Sequence, residues 1–185
     1  MTAITQISQA ATRLLAGDVL AYPTEAVWGL GCDPENEDAT LRLLAVKERP
    51  VDKGLILIAG SLAQVSHLLA PLTEQQRQTL WATWPGPTTW LIPDSRNLVP
   101  RWIKGDHDSV ALRLTAHPLA AQLCLAFGRP LVSTSANLAG HPAARTAEEV
   151  LTQLGSRIDG LVVGELGQEA RPSRIIDLVS GVTLR

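Results

Sequence analysis

The sequence predicts an α/β fold in which helices flank a sheet of mixed parallel and antiparallel strands. Helix-like and strand-like segments alternate along all 185 residues, a pattern typical of layered proteins with a partly parallel sheet. Several short strand-like segments follow one another over residues 161–185, which argues against a purely parallel sheet. The length suits one domain spanning residues 1–185, since ordinary domains contain ~100–200 residues.

Hydrophobic spacing predicts the elements of the first half of the chain. Apolar residues at helical spacing over 4–15, followed by Gly17, predict a first helix that ends at a glycine. The segment "VLAY" predicts a short strand ended by Pro23, and the glycine-containing segment 23–33 predicts a loop. The segments that follow predict a helix over about 37–47, a strand over 54–59, a helix capped by Ser61, and a helix begun by a capping box of Thr73 and Gln76.

The second half repeats this alternation. The segments "TTWLI" and "SVALRL" predict strands, and the pattern of the second places Arg113 on the face opposite the large aliphatic side chains. Pro118 opens a helix that Gly128 closes, and "PLVSTSANLAG" predicts a strand that runs into a turn rich in serine and asparagine. The remaining predictions are a helix after Thr146 and strands in "LVVGE", "SRIIDL" and "VTLR".

Composition narrows the class of protein. An apolar fraction of 45% with 18% charged residues is typical of an ordinary globular domain. The net charge of −2 argues against a non-specific nucleic-acid binder, which would carry an excess of lysine and arginine. Neither a signal peptide nor a membrane-spanning stretch is indicated. Cys32 and Cys124 are far apart and match no metal or redox spacing, so we expect reduced thiols in a cytoplasmic protein.

The segment "KERPVDKG", residues 47–54, concentrates positive charge in a chain that is otherwise almost neutral. A charge run is often only a solvated helix face or turn. Here, however, Pro50 prevents the helix from continuing and favours extended backbone, in which side chains alternate between two faces. We therefore expect Lys47, Arg49 and Lys53 on one side, where they would suit a phosphate or a carboxylate.

Polar residues also follow other predicted strands. Ser133, Ser135 and Asn137 come after one strand, and the ends of strands in open α/β sheets are where ligands bind. A capped turn of self-bonding side chains is the alternative for the "STSAN" segment. The four histidines lack the spacing of metal ligands, and the standard phosphate-loop, dinucleotide and hydrolase motifs are absent from the sequence.

Five segments, in order, resemble the YrdC family and most closely its short bacterial form: "AYPTEAVWGLGCDP", "KERPVDKGLILIA", "WPGPTTW", "VALRLTAHP" and "PLVSTSANLAG". The resemblance covers nearly the whole chain and implies an open twisted sheet with a concave, positively charged cavity. It also implies a cytosolic enzyme that joins L-threonine, bicarbonate and ATP into threonylcarbamoyl-adenylate and pyrophosphate. Partner proteins would then transfer the threonylcarbamoyl group to an adenosine beside the anticodon of a tRNA.

The resemblance also implies roles for individual residues. The KxR pair is Lys47 and Arg49, and the SxN pair is Ser135 and Asn137; all four are expected to bind ATP and take part in catalysis. The other residues expected to bind ATP are Lys53, Arg145, Arg174 and Arg185. The residues expected to bind threonine are Thr24, Arg113, Ser133 and Ser173. Mg²⁺ is expected from the nucleotide chemistry and not from any ligand motif in the sequence.

The chain departs from longer relatives at three points. Ala26 stands where they carry a second threonine, and Ile58 stands where they carry a histidine near the strand after KxR. A Ser-Thr pair before the last strands is replaced by Ser173 and Arg174, which adds a cation. Contacts to threonine at the first two positions are therefore in doubt.

Two other functions fit parts of the sequence. An RNA-binding or ribosome-maturation factor would use the same basic cavity, but the scattered aromatic residues form no visible stacking platform. A carbamoyl-adenylate-forming module, like those of hydrogenase-maturation enzymes, would normally come with further domains. Tight RNA binding without turnover would favour the first alternative, and activity on carbamoyl phosphate instead of threonine would favour the second.

Overall fold

The computed structural model describes residues 2–185. Its strands are β1 (Thr2–Ile4), β2 (Leu20–Pro23), β3 (Trp28–Gly31), β4 (Ile56–Ala59), β5 (Thr88–Pro93), β6 (Ser109–Leu114), β7 (Leu131–Ser135), β8 (Gly160–Val162) and β9 (Arg174–Asp177). Its helices are α1 (Ile7–Leu15), α2 (Glu37–Val46), α3 (Ser66–Leu69), α4 (Glu74–Trp81), α5 (Arg101–Lys104), α6 (Pro118–Phe127) and α7 (Ala147–Leu154).

The strands form one open nine-stranded sheet in the order β1-β8-β2-β3-β7-β4-β6-β5-β9. Strands β4 and β6, β5 and β9, and β8 with its two neighbours pair in parallel, whereas β3 and β7 pair antiparallel with both of their neighbours. Strands β5 and β6 are also antiparallel. The predicted mixed sheet is therefore confirmed.

Each face of the sheet packs against its own hydrophobic core. The larger core contains Val110, Leu112 and Leu114 of β6, as the alternation in the sequence predicts. The smaller core, on the other face, contains Ile58 of β4 together with buried side chains of α1 and α6. These two helices cover only one end of that face, and the candidate site lies over its other end.

Strand β3 replaces a predicted loop. The sequence "WGLG" has too little hydrophobic alternation to indicate a strand, because its two glycines occupy one face. Gly31 has no room for a side chain, since a Cβ atom there would lie 2.1 Å from the carbonyl oxygen of Val132. Gly29 is more tightly packed than usual, since a Cβ atom there would lie 3.0 Å from the Thr24 side chain. The missing side chains let β2, β3 and β7 approach closely.

Other local predictions also differ from the structure. The first helix begins at Ile7, because residues 2–4 pair with β8. The Ser61 side chain makes no capping hydrogen bond, and a 3₁₀ turn over Leu62–Val65 comes before α3. The four-residue helix α5 was not predicted, and the final "VTLR" forms only one isolated bridge, from Thr183 to β9. The capping box of Thr73 and Gln76 is confirmed.

We expect Gly31→Ala to lower the free energy of unfolding by well over the ~1–2 kcal/mol that a left-handed backbone costs. The added methyl group has no space between Val132 and Tyr22. Gly128→Ala is the matched control: Gly128 has φ of +90°, but an added methyl group there would meet no atom within 4 Å, so it reports the backbone cost alone. Urea denaturation of both variants tests the expectation, and equal losses would contradict it.

Candidate active site

A cavity of about 590 Å³ lies over the uncovered end of the sheet. Its floor includes Ser133, Ile56, Ala111 and Leu91, which are direct lateral neighbours on β7, β4, β6 and β5. Because these side chains are small or aliphatic, the floor is shallow and partly apolar. Polar and charged residues from the strand ends and the following loops form the walls.

Positive charge is concentrated in this cavity. Two glutamates, Glu25 and Glu48, line it. The lysines and arginines that line it are Lys47, Arg49, Lys53, Lys104, Arg113, Arg171 and Arg185. The chain as a whole has a net charge of −2, so the fold separates cations from carboxylates and places an excess of cations in one concave site. Such a site attracts anions.

Lys47 is the most enclosed lysine of the cavity, with 7% of its surface exposed. It caps the C-terminus of α2, and its ammonium group donates hydrogen bonds to the backbone oxygens of Ser135 and Asn137 and, at 3.3 Å, to the Asn137 side-chain oxygen. Burial, followed by the nearby charge of Arg49, lowers the pKa of Lys47 to about 8. The KxR and SxN segments therefore meet at one point.

The segment after Lys47 does not form the predicted extended strand. Glu48 has a left-handed backbone with φ of +52°, and Val51–Lys53 form a 3₁₀ turn. The Arg49 guanidinium donates from Nε and Nη2 to the carbonyl oxygen of Gly54, at 3.2 and 2.9 Å. This bond closes the segment into a compact turn, so the prediction of alternating faces is wrong, although all three cations line the cavity.

Asn137 joins several parts of the site. Its side-chain oxygen accepts hydrogen bonds from the Ser135 hydroxyl, at 2.6 Å, and from the Lys47 ammonium. Its side-chain nitrogen donates to the carbonyl oxygens of Leu138 and His141, at 2.8 and 2.9 Å. Asn137 therefore links the end of β7, the Lys47 ammonium and the next turn of the chain.

Arg113 and Glu25 form a buried ion pair at another part of the wall. Their charged atoms lie 3.0 Å apart, and their side chains are 8% and 7% exposed. Glu25 also accepts hydrogen bonds from the Thr115 hydroxyl and the backbone nitrogen of Ala116. Within residues 2–185, Arg113 Nε and Glu25 Oε2 are buried without a hydrogen-bond partner. Unlike Lys47 and Arg49, the Arg113 charge is thus paired with a carboxylate.

A third group of polar residues comes from the C-terminal segment. The Arg185 guanidinium donates to the backbone oxygen of Ser173, at 3.1 and 3.2 Å, and the Ser173 hydroxyl bonds the Thr89 hydroxyl at 2.9 Å. Burial, and then the charges of Arg113 and Arg49, lowers the pKa of Arg185. Guanidinium groups from three separate segments therefore converge on this cavity.

Ten of the twelve residues predicted for the site line the cavity: Thr24, Lys47, Arg49, Lys53, Arg113, Ser133, Ser135, Asn137, Ser173 and Arg185. Arg145 and Arg174 are exposed and lie outside its lining, so their contact with ATP stays a prediction. Ala26 lines the cavity, whereas Ile58 is fully buried in the smaller core.

Sequence reasoning missed several lining residues: Glu25, Lys104, His107, Ser109 and Arg171. A signal for Glu25 was present in the "PTE" segment, which also carries the predicted site residue Thr24. A buried arginine such as Arg113 needs a carboxylate partner, and Glu25 is the carboxylate of that segment. Lys104 lies on a four-residue helix and Arg171 on an irregular segment. Neither has a regular hydrophobic pattern from which the direction of a side chain could be predicted.

Two wider features bear on function. Across residues 2–185, no helix combines the length and the apolar character needed to cross a bilayer. The same residues contain no group of three or more His, Cys, Asp or Glu side chains placed to hold a metal ion.

The fold and the cavity define an open α/β protein with a cation-rich cavity built at strand ends. A family model for Sua5, YciO and YrdC proteins, described as "Telomere recombination", matches residues 12–185. The chain therefore belongs to the Sua5/YciO/YrdC family, as the sequence motifs indicated.

Individual relatives are similar over most of the chain. The threonylcarbamoyl-AMP synthase of Stutzerimonas stutzeri is 55% identical over 97% of this chain and 96% of its own length. That of Cellvibrio japonicus is 52% identical over 97% of this chain and 95% of its own. The crystal structure of P. abyssi Sua5 complexed with L-threonine is similar to this chain with a TM-score of 0.90 at 33% sequence identity. The match covers all of this chain and 56% of that longer protein.

We expect the Lys47 ammonium to lose its proton near pH 8 in the free protein, because burial penalises its charged form. The unfolded chain keeps this proton to about pH 10.4, so the contribution of Lys47 to the free energy of unfolding rises with pH between these two values. NMR titration of protein labelled at the lysine ε-carbon measures the pKa directly. Lys47→Arg identifies the Lys47 signal, and a midpoint near 10.4 would contradict the expectation.

Proposed function

We propose that this chain is a threonylcarbamoyl-AMP synthase, which joins L-threonine, bicarbonate and ATP into threonylcarbamoyl-adenylate and pyrophosphate. The observation that carries this proposal is the meeting of Lys47 with Ser135 and Asn137 in a cavity lined by an excess of cations. Relatives with that name, at more than 50% identity over nearly the whole chain, support it.

The reaction requires stabilisation of negative charge. The threonine amine first combines with bicarbonate to give a carbamate and water, and a carbamate oxygen then attacks the α-phosphorus of ATP while pyrophosphate leaves. Negative charge collects on the phosphate oxygens during the second step, so fixed cations lower its barrier. We assign this role to Lys47, Arg49, Lys53 and Arg185, which line the cavity.

The Arg113–Glu25 pair suits the amino-acid substrate. Threonine enters as a zwitterion without net charge, and a nearly neutral pair attracts it without drawing the triphosphate into the same place. Arg113 binds the threonine carboxylate through the guanidinium edge that does not face Glu25. Thr24, Ser133 and Ser173 lie in the same cavity and complete the threonine site.

ATP is the nucleotide substrate, and Mg²⁺ accompanies it on its phosphates. The described residues provide no cluster of metal ligands, and Glu25, one of the two glutamates in the cavity, is paired with Arg113. The residues assigned above act by positioning the substrates and by supplying positive charge. The adenylate is a mixed anhydride that water hydrolyses, so partner proteins take it up and transfer the threonylcarbamoyl group to the tRNA adenosine in the cytoplasm.

Pyrophosphate release tests this function. Protein incubated with ATP, bicarbonate and labelled threonine should release pyrophosphate and form a threonine-dependent adenylate. Lys47→Met and Arg49→Ala should each lower the rate about a hundredfold or more, because losing one charge-stabilising donor costs roughly 2.7–4 kcal/mol of barrier.

Arg96→Ala is the control for these variants, because Arg96 is exposed and does not line the cavity. Its rate should equal that of the unmodified protein. Normal turnover in Lys47→Met and Arg49→Ala would remove these residues from the mechanism, and RNA binding without any turnover would favour the RNA-binding alternative.

The threonine site has its own test. The double variant Glu25→Gln, Arg113→Gln removes both buried charges together, so neither is left unpaired. We expect its KM for threonine to rise roughly tenfold or more, since a charge-assisted hydrogen bond contributes ~1.5–3 kcal/mol, while its KM for ATP changes little. Equal effects on both KM values would show that the pair does not select the amino acid.

A further inference from the structure

The Asn137 side chain has used all its hydrogen-bonding capacity within the protein. An asparagine amide offers two donor hydrogens and two acceptor positions. Its oxygen accepts from the Ser135 hydroxyl and the Lys47 ammonium, and its nitrogen donates to the carbonyl oxygens of Leu138 and His141. A ligand could bond this amide only by displacing one of these partners, so in this arrangement the amide links Ser135 and Lys47 to the residues that follow it.

Those neighbours belong to loop 138–142, which follows β7. Two of its residues, Ala139 and Gly140, line the cavity. Gly140 has φ of +76°, so the loop makes a tight turn that places backbone instead of bulky side chains beside the cavity. Loop 138–142 therefore forms part of the wall next to the Lys47 ammonium.

Gln153 holds the same loop from the opposite side. This residue lies on α7, is half-buried, and is not part of the cavity lining. Its side-chain oxygen accepts a hydrogen bond from the backbone nitrogen of Leu138, at 3.2 Å, and its side-chain nitrogen donates to the carbonyl oxygen of Pro142, at 3.1 Å. One amide thus clamps the two ends of the loop.

We propose that Gln153 is a positioning residue of the active site, which fixes loop 138–142 and, through Asn137, the place of the Lys47 ammonium. The chain of contacts is continuous: Gln153 bonds Leu138 and Pro142, Asn137 bonds Leu138 and His141, and both oxygens of Asn137 accept from Lys47. The role of Lys47 in the reaction rests on the proposed function, whereas the coupling of Gln153 to Lys47 does not.

A defect in positioning has a characteristic kinetic effect. Substrates bind to many groups in the cavity, but the barrier depends on how accurately the cation meets the reacting phosphate. Loosening loop 138–142 should therefore lower kcat more than it raises KM. A general loss of stability would instead lower the amount of active enzyme and the midpoint temperature of thermal unfolding together.

The test compares three variants of the full chain. Gln153→Ala removes both bonds to the loop, and Gln153→Glu keeps the acceptor for Leu138 but loses the donor to Pro142. Thr152→Ala is the matched control, because within residues 2–185 the Thr152 hydroxyl bonds only the Glu148 carbonyl of its own helix. We expect kcat for pyrophosphate release to fall roughly tenfold in Gln153→Ala, less in Gln153→Glu, and not in Thr152→Ala, with KM for ATP and threonine nearly unchanged.

A second readout does not depend on activity. In protein labelled at the lysine ε-carbon, the Lys47 signal should shift in Gln153→Ala and Gln153→Glu and stay in place in Thr152→Ala. If the unmodified protein released no pyrophosphate, the proposed function would fail, and this signal would still test the coupling. Unchanged kcat and an unmoved Lys47 signal in folded Gln153→Ala would overturn the inference. If Gln153→Ala did not fold, the same two measurements on Gln153→Glu would decide it.

Discussion

The Lys47 ammonium is largely removed from water, and the architecture of the site depends on the oxygen atoms that compensate for this. Two backbone oxygens and one side-chain oxygen accept its hydrogen bonds, and all three belong to a segment about ninety residues further along the chain. An enclosed ammonium without such partners would lose its proton or force the site open. The end of α2 and the end of β7 must therefore meet, and the cavity exists where they do.

Small residues make the rest of this arrangement possible. Gly29 and Gly31 let β3 lie close to β2 and β7, and the row that includes Ser133 and Ala111 keeps the floor of the cavity low. Helices α1 and α6 cover only the other end of the same face, beside Ile58. A ligand can therefore rest directly on the sheet and be surrounded by residues from strand ends, as is usual in open α/β proteins.

The cations of the cavity are of two kinds. Within residues 2–185, neither Lys47 nor Arg49 is in an ion pair with a carboxylate, which suits a triphosphate and the charge that develops when pyrophosphate leaves. Around Arg113, Glu25 cancels the positive charge, which suits an amino acid that is neutral overall. The same fold can thus hold two substrates of different charge next to each other.

Hydrophobic period and caps are local signals, so the amino-acid sequence alone predicted the mixed α/β class and most element positions. Its ordered motifs indicated the family, and that resemblance in turn implied ten of the residues that line the cavity. The sequence did not determine β3 or the compact turn after Lys47, because close packing against Val132 and a bond from Arg49 to Gly54 decide these. Only the tertiary structure paired Arg113 with Glu25 and brought Gln153 to loop 138–142. These contacts join residues far apart in the chain, and no local pattern specifies which of them become neighbours.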